Sequence, residues 1–234
     1  MDGLSMFSKS ACLIFCLTFS QPVLSQNIDC QTLKKGLDPF EVNQEFIRRS
    51  VKAPGEDLGD PTKDLAKRQI FREKNGIVNA YEDRAGTLTK QIFVYGKPQS
   101  MQVYGKIDKP FQVTYRQDLP LDFDYMGSRR NHQFKVSMEM TTSPGNSSVS
   151  ESNFKYMRED QMIISGCLFG VSLFEVTSQA QNSPLRTMGQ VYYSPDLQIA
   201  LQTEFKTLKD ERDIMEVILK TRDIRPISQK IAEP

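Results

Sequence analysis

The sequence predicts an all-β chain with a minor α content, an antiparallel curved sheet or half-open barrel built of meandering hairpins. From about Arg68 onward, short β-prone segments alternate with Gly, Pro, Asn, Asp and Ser. Asn75-Gly76 stands between two of these segments, and that dipeptide accepts the positive φ angles of a tight hairpin. Apolar residues make up only 38% of the chain, which suits antiparallel strands with one wet face.

The hairpin at Asn75-Gly76 joins 69–73 to 77–81. A second reversal at 83–86 leads into 87–95, and a third at 96–100 leads into 101–106. Further strands are expected at 111–117, 134–142, 152–157, 162–165 and 168–178. Polar 143–150, with Pro144 and Gly145, reads as the longest late loop. In the last part 187–193, a Ser194-Pro195-Asp196 turn, 197–205 and a charged turn at 209–212 lead to 214–221. Met215, Val217 and Leu219 give that last segment strand alternation. A short helix is the alternative, because Lys, Glu and Met also favour helices. Nearer the N-terminus a strand is expected around 40–47, an exposed loop over 54–64 and a helical turn beginning within 61–68. Val94-Tyr95-Gly96-Lys97 recurs as Val103-Tyr104-Gly105-Lys106, which reads as two neighbouring strands ending in similar turns.

Residues 1–25 have the layout of a secretory signal peptide. Lys9 precedes the apolar run 11–19, Gln21 and Pro22 break it, and cleavage is expected between Ser25 and Gln26. The run is too short for a bilayer span of about 20 residues. Two alternatives stand beside the signal peptide: a lipoprotein signal ending at Cys16, for which Phe15 directly before the cysteine is a poor cleavage context, and an uncleaved membrane anchor, for which the apolar run is short. Residues 26–234 are then expected to form a single β-rich domain, exported to the periplasm or secreted.

Losing the leader removes Cys12 and Cys16 and leaves Cys30 and Cys167, which suggests one disulfide. Closing so long a loop is worth roughly 4–5 kcal/mol by the chain-entropy model. Two buried free thiols are the alternative. A metal held by the pair is disfavoured, since no second ligand lies nearby at zinc-like spacing.

The formal net charge is +1, which gives no electrostatic case for nucleic acid. The doublets Lys34-Lys35, Arg48-Arg49, Lys67-Arg68 and Arg129-Arg130 are dispersed and read as solvated faces. His132 is the one histidine, and there is no Gly-x-Ser-x-Gly elbow. No phosphate-binding glycine loop, dinucleotide fingerprint or helical zinc motif implies a cofactor.

Asp122 and Asp124 flank Phe123 and would share a strand face, where paired carboxylates can hold a hard cation. An enzyme would need Asp122, Asp124, His132 or Glu139 to converge. Met138 and Met140 would likewise share a face. With Met126, Met157 and Met162 they could offer soft ligands to copper, although methionine commonly fills irregular cores. Asn146-Ser147-Ser148 matches an N-glycosylation acceptor.

The segment Tyr192-Tyr193-Ser194-Pro195-Asp196-Leu197, with the alternating strand and charged hairpin after it, resembles the closing element of uncharacterised bacterial periplasmic β-rich proteins. Some of those are similar to the half-barrels of lipoprotein carriers. The resemblance covers the last part of the chain, implies compartment and fold, and carries no functional residue. A curved sheet in an exported protein is expected to offer an apolar face, lined by Phe93, Phe134, Met138, Phe169 and Phe174, to a lipid or apolar ligand. The alternative is an envelope interaction or structural protein with a filled core and an exposed patch or strand edge.

Overall fold

The computed structural model describes residues 29–35, 38–53, 56–84, 86–104, 111–117, 124, 126, 133–142 and 146–227. The expected leader, Asp122, the Arg129-Arg130 doublet and His132 lie outside these residues. The described chain opens with one short helix, α1 (Cys30–Lys35). The strands follow as β1 (Phe40–Ser50), β2 (Thr62–Arg72), β3 (Ile77–Arg84), β4 (Thr87–Val94), β5 (Lys97–Tyr104) and β6 (Phe111–Gln117). After them come β7 (Gln133–Thr142), β8 (Asn146–Ile164), β9 (Cys167–Ala180), β10 (Leu185–Ser194), β11 (Ile199–Lys209) and β12 (Arg212–Pro226). Each strand pairs antiparallel with the next in sequence, and β1 pairs with β12, so the sheet closes into a barrel. The all-β meander is as predicted, and closure takes it beyond a half-open sheet.

Turn chemistry sets the register. Tyr95 and Gly96, with φ of 47° and 76°, form the two-residue turn between β4 and β5. Ser165-Gly166 and Asp210-Glu211 repeat that positive pair between β8 and β9 and between β11 and β12. A two-residue turn of this hand matches the right-handed strand twist. At Asn75-Gly76 only Gly76 takes a positive φ. There the amide of Glu73 bonds the Ile77 carbonyl at 2.8 Å, so the reversal is wider than the tight turn expected. The third reversal is tighter than expected, and β5 begins at Lys97 with a register shift that accommodates Pro98.

Two other expectations are corrected. Residues 62–68 are strand, because Ala66, Arg68, Ile70 and Arg72 alternate on one buried face; tertiary packing overrides local helix preference there. The segments at 152–157 and 162–165 are one strand, which also takes in 146–150 of the expected loop, so Asn146 begins β8. A register shift between Tyr156 and Arg158 lets the chain continue through the charged run between the two expected segments. Residues 214–221 lie in β12 and are strand rather than helix.

One end of the barrel is plugged. The β8–β9 hairpin outruns its neighbours, and its tip reaches β12 beyond the last β11–β12 pair, Gln202↔Lys220. There Ser165 Oγ donates to the Asp223 carboxylate and accepts the Ile224 amide at 2.9 Å. Cys30 of α1 is joined to Cys167 of this hairpin, with Cα atoms 5.5 Å apart. Arg72 donates to the carbonyls of Asp196 at 2.7 Å and Leu33 at 2.8 Å, and its guanidinium lies 5.0 Å from the Phe40 ring centre. The helix, the β10–β11 turn and the barrel wall thus share one cation. Around it Phe40, Ile70, Phe169, Leu197, Leu201 and Ile224 form a fully buried apolar cluster.

The seam between the first and last strands carries charge on the face opposite Phe40 and Val42. Glu41, wholly buried, takes Lys67 at 2.7 Å and Arg225 at 2.6 Å. Glu45 takes Arg222, with Lys63 at 3.6 Å. These acids on β1 each bridge a base on β2 to one on β12, which rewards the register that closes the barrel.

Candidate functional site

Beyond the plug the described residues leave space in the lumen. Phe93, Phe154 and Phe205 are only half-buried, and β4 is half-buried on both faces along its whole length. A cavity of about 340 Å³ lies among Arg68, Phe93, Phe154, Val191, Tyr193 and Phe205, with Gly96, Pro98, Met126, Gln198, Ile199, Ala200 and Thr203 completing it. Most of these residues come from β2, the β4–β5 pair, β8 and the β10–β11 pair, groups separated from one another around the closed sheet. A space they share must therefore lie inside the barrel.

One wall is aromatic and aliphatic. Phe134 stacks on Phe154 at 4.9 Å, and Phe174 meets both Phe134 and Tyr156 edge to face. These rings pack with Val136, Val176, Val191 and Tyr193. Two glycines shape this wall. Gly189 pairs with Phe205, and a Cβ at 189 would lie 1.9 Å from the Glu204 carbonyl oxygen and 2.7 Å from the Phe205 ring. Gly96 combines its positive φ with close approach, since a Cβ there would lie 2.9 Å from the Tyr193 ring.

The facing wall is polar. Arg68 is buried and donates to Gln44 Oε1 at 3.3 Å and Gln91 Oε1 at 3.2 Å, with Glu82 3.4 Å from its Nε. Gln44 in turn donates to Thr221 Oγ1 at 3.2 Å. Burial lowers the Arg68 pKa and the Glu82 carboxylate acts against that shift. The belt runs from β12 through β1 and β2 to β3 and β4, so its donors and acceptors are largely spent on one another.

Three polar atoms of cavity-lining residues have no hydrogen-bond partner among the described residues: the Tyr193 hydroxyl, Gln198 Oε1 and Arg68 Nε, the last of which has Glu82 as its ion-pair partner at 3.4 Å. Tyr193 is 1% exposed. Burial pushes its phenol well above the ordinary value, and the Asp124 carboxylate adds to that shift. At neutral pH it is a hydroxyl, able to donate and to accept.

Of the five expected lining residues, Phe93 lines the cavity. Phe134 and Phe174, with Met138 against them, form the packed layer of the aromatic wall. Phe169 belongs to the plug, 5.7 Å beneath Lys34. Arg68 corrects the reading of the basic doublets as solvated: Lys67 and Arg68 alternate to opposite faces, and only Lys67 points out. Asp124 acts on Tyr193, whereas Glu139 lies on the face opposite Met138 and Met140. Met126 lines the cavity, Met162 packs on the plug, and Met157 is exposed at the register shift, so the methionines are dispersed. Among the described residues no group of three His, Cys, Asp or Glu converges. No helix among them is long and apolar enough to cross a membrane.

The chain matches no family model and no curated protein. Among solved structures it is similar to the hypothetical lipoprotein YmcC of Escherichia coli (K12), at 6% identity and a TM-score of 0.44, over 79% of this chain and 87% of that one. A likeness at this level carries no argument about function.

Proposed function

We propose that this is an exported envelope protein that holds an apolar small molecule inside its barrel. The observation that carries the reading is the unfilled lumen, with three half-buried phenylalanines around a cavity of about 340 Å³. Ligand sites span roughly 300–1,000 Å³ and are mostly apolar with a few placed polar groups, a description this cavity fits. The Cys30–Cys167 bond supports an oxidising compartment.

The test is native mass spectrometry of the protein purified from its host's exported fraction, alongside titration with N-phenyl-1-naphthylamine, a neutral apolar dye. A retained adduct, or saturable dye binding abolished by filling the cavity with Val191→Trp, supports the reading, provided circular dichroism shows that the variant is folded. An empty protein that binds no dye overturns it.

A second reading, a protein that docks an envelope partner through its hairpin tip, is favoured by one observation. Ile163 and Leu168 are cross-strand partners there and stand 75% and 44% exposed. Loss of a cross-linked partner in Ile163→Ser, with dye binding intact, would favour that reading.

A further inference from the structure

The chemistry of the unpartnered atoms narrows what the lumen accepts, and the inference rests on the lumen being a ligand site. We propose that its ligand is a neutral, single-headed amphiphile: an apolar body ending in a group that both accepts and donates a hydrogen bond, such as a hydroxyl or a primary amide.

Tyr193 is 1% exposed and sits in an apolar wall, yet its hydroxyl has no hydrogen-bond partner among the described residues. A buried polar group left so costs free energy that a bound partner recovers. Gln198 Oε1 is an unpartnered acceptor at the same cavity, held in the β10–β11 turn by a left-handed backbone with φ of 58°. A phenol that donates and an amide oxygen that accepts match one head group able to do both.

An anion would need a cation to receive it. Arg68 is the charged residue among those that line the cavity: its two terminal nitrogens donate to glutamine carbonyls, and its Nε, which makes no hydrogen bond, has its charge already paired with Glu82 at 3.4 Å. A carboxylate would have to displace Glu82 from it. The Asp124 carboxylate, whose field reaches the Tyr193 phenol, would repel a negative head group. A cationic ammonium head donates only and cannot accept the Tyr193 hydroxyl. A neutral head meets neither penalty.

The experiment is displacement of N-phenyl-1-naphthylamine from the full mature chain by octanol, octanamide and octanoate at about pH 8, where the acid is ionised. Octanol and octanamide are expected to displace the dye at concentrations on the order of tenfold lower than octanoate. Tyr193→Phe should keep dye affinity and weaken octanol and octanamide several-fold. Gln198→Leu should weaken the same two compounds and leave octanoate unchanged.

Equal or tighter binding of octanoate overturns the inference. So does a Tyr193→Phe variant that binds dye, octanol and octanamide as wild type does, which would mean that a buried water serves the hydroxyl. If the wild-type chain binds no dye, the lumen reading itself falls. If dye binds and no head-group preference appears, only the present inference falls.

Discussion

Gly189 on β10 lies opposite Phe205 on β11, and the Phe205 ring occupies the space a side chain at 189 would fill. The methyl of Gly189→Ala would meet both that ring and the Glu204 carbonyl, and a backbone oxygen in a paired strand cannot step aside. Overpacking of this kind costs about 1–3 kcal/mol. Urea denaturation should show a lower midpoint for Gly189→Ala, and dye affinity should fall because Phe205 is pushed into the cavity. Unchanged stability and affinity would show that the β10–β11 pair yields more easily than its register implies.

Arg68 and Glu82 form a charged pair beneath the cavity, 3.4 Å apart. Removing only the base leaves the Glu82 carboxylate, 15% exposed, with Arg84 at 3.9 Å, and breaking a fully buried pair costs about 3–5 kcal/mol, an upper bound here. Arg68→Ala is therefore expected to be strongly destabilised. The double variant Arg68→Met with Glu82→Gln should recover much of the loss, since neither charge is left. Equal stability of the single and double variants in chemical denaturation would contradict the coupling.

The meander was legible in the sequence because each strand carries its own alternation and its own turn residues. The 111–117 segment coincides with β6, and 214–221 falls within β12. Closure was not legible. It depends on β1 meeting β12, and the bridges that reward it, such as Glu41 to Lys67 and Arg225, join residues far apart in the chain. The cavity was legible only through Phe93. Arg68 is hidden in a basic doublet whose two members face opposite ways, and Tyr193 stands in the sequence as the end of the 187–193 strand and part of the segment that carries the resemblance, with nothing to mark it as a lumen residue. The signal that could have found both is period-two alternation: Ala66, Arg68, Ile70 and Arg72 on one strand, Val191 and Tyr193 on another.

Cys30 and Cys167 hold α1 against the long hairpin across 137 residues of chain. Reduction, or the Cys30→Ser and Cys167→Ser pair, should lower stability by about 2–5 kcal/mol. The barrel strands are joined by their own backbone pairing, to which the bond contributes nothing directly. Hydrogen exchange should therefore show lost protection at Leu33 and around 164–167 while β10–β12 stay protected. Identical melting with and without reductant would show that the bond does not form in the exported protein.

Glu41 gives the seam a pH dependence with a definite sign. Burial opposes its ionisation, but the hydrogen bonds and charges of Lys67 and Arg225 outweigh that, and its pKa lies below the ordinary 4.5. The folded chain therefore binds fewer protons than the unfolded chain as pH falls through that range. The stabilisation from Glu41 is present above pH 4.5 and is lost as pH drops through the folded-state value. Glu41→Gln lacks it at every pH. The stability advantage of wild type over Glu41→Gln, measured by urea denaturation at pH 6 and at intervals below about pH 4, should shrink steadily with acidification. A constant gap across that series would mean that Lys67 and Arg225 do not hold the ionised form, and that the seam is closed by backbone pairing alone.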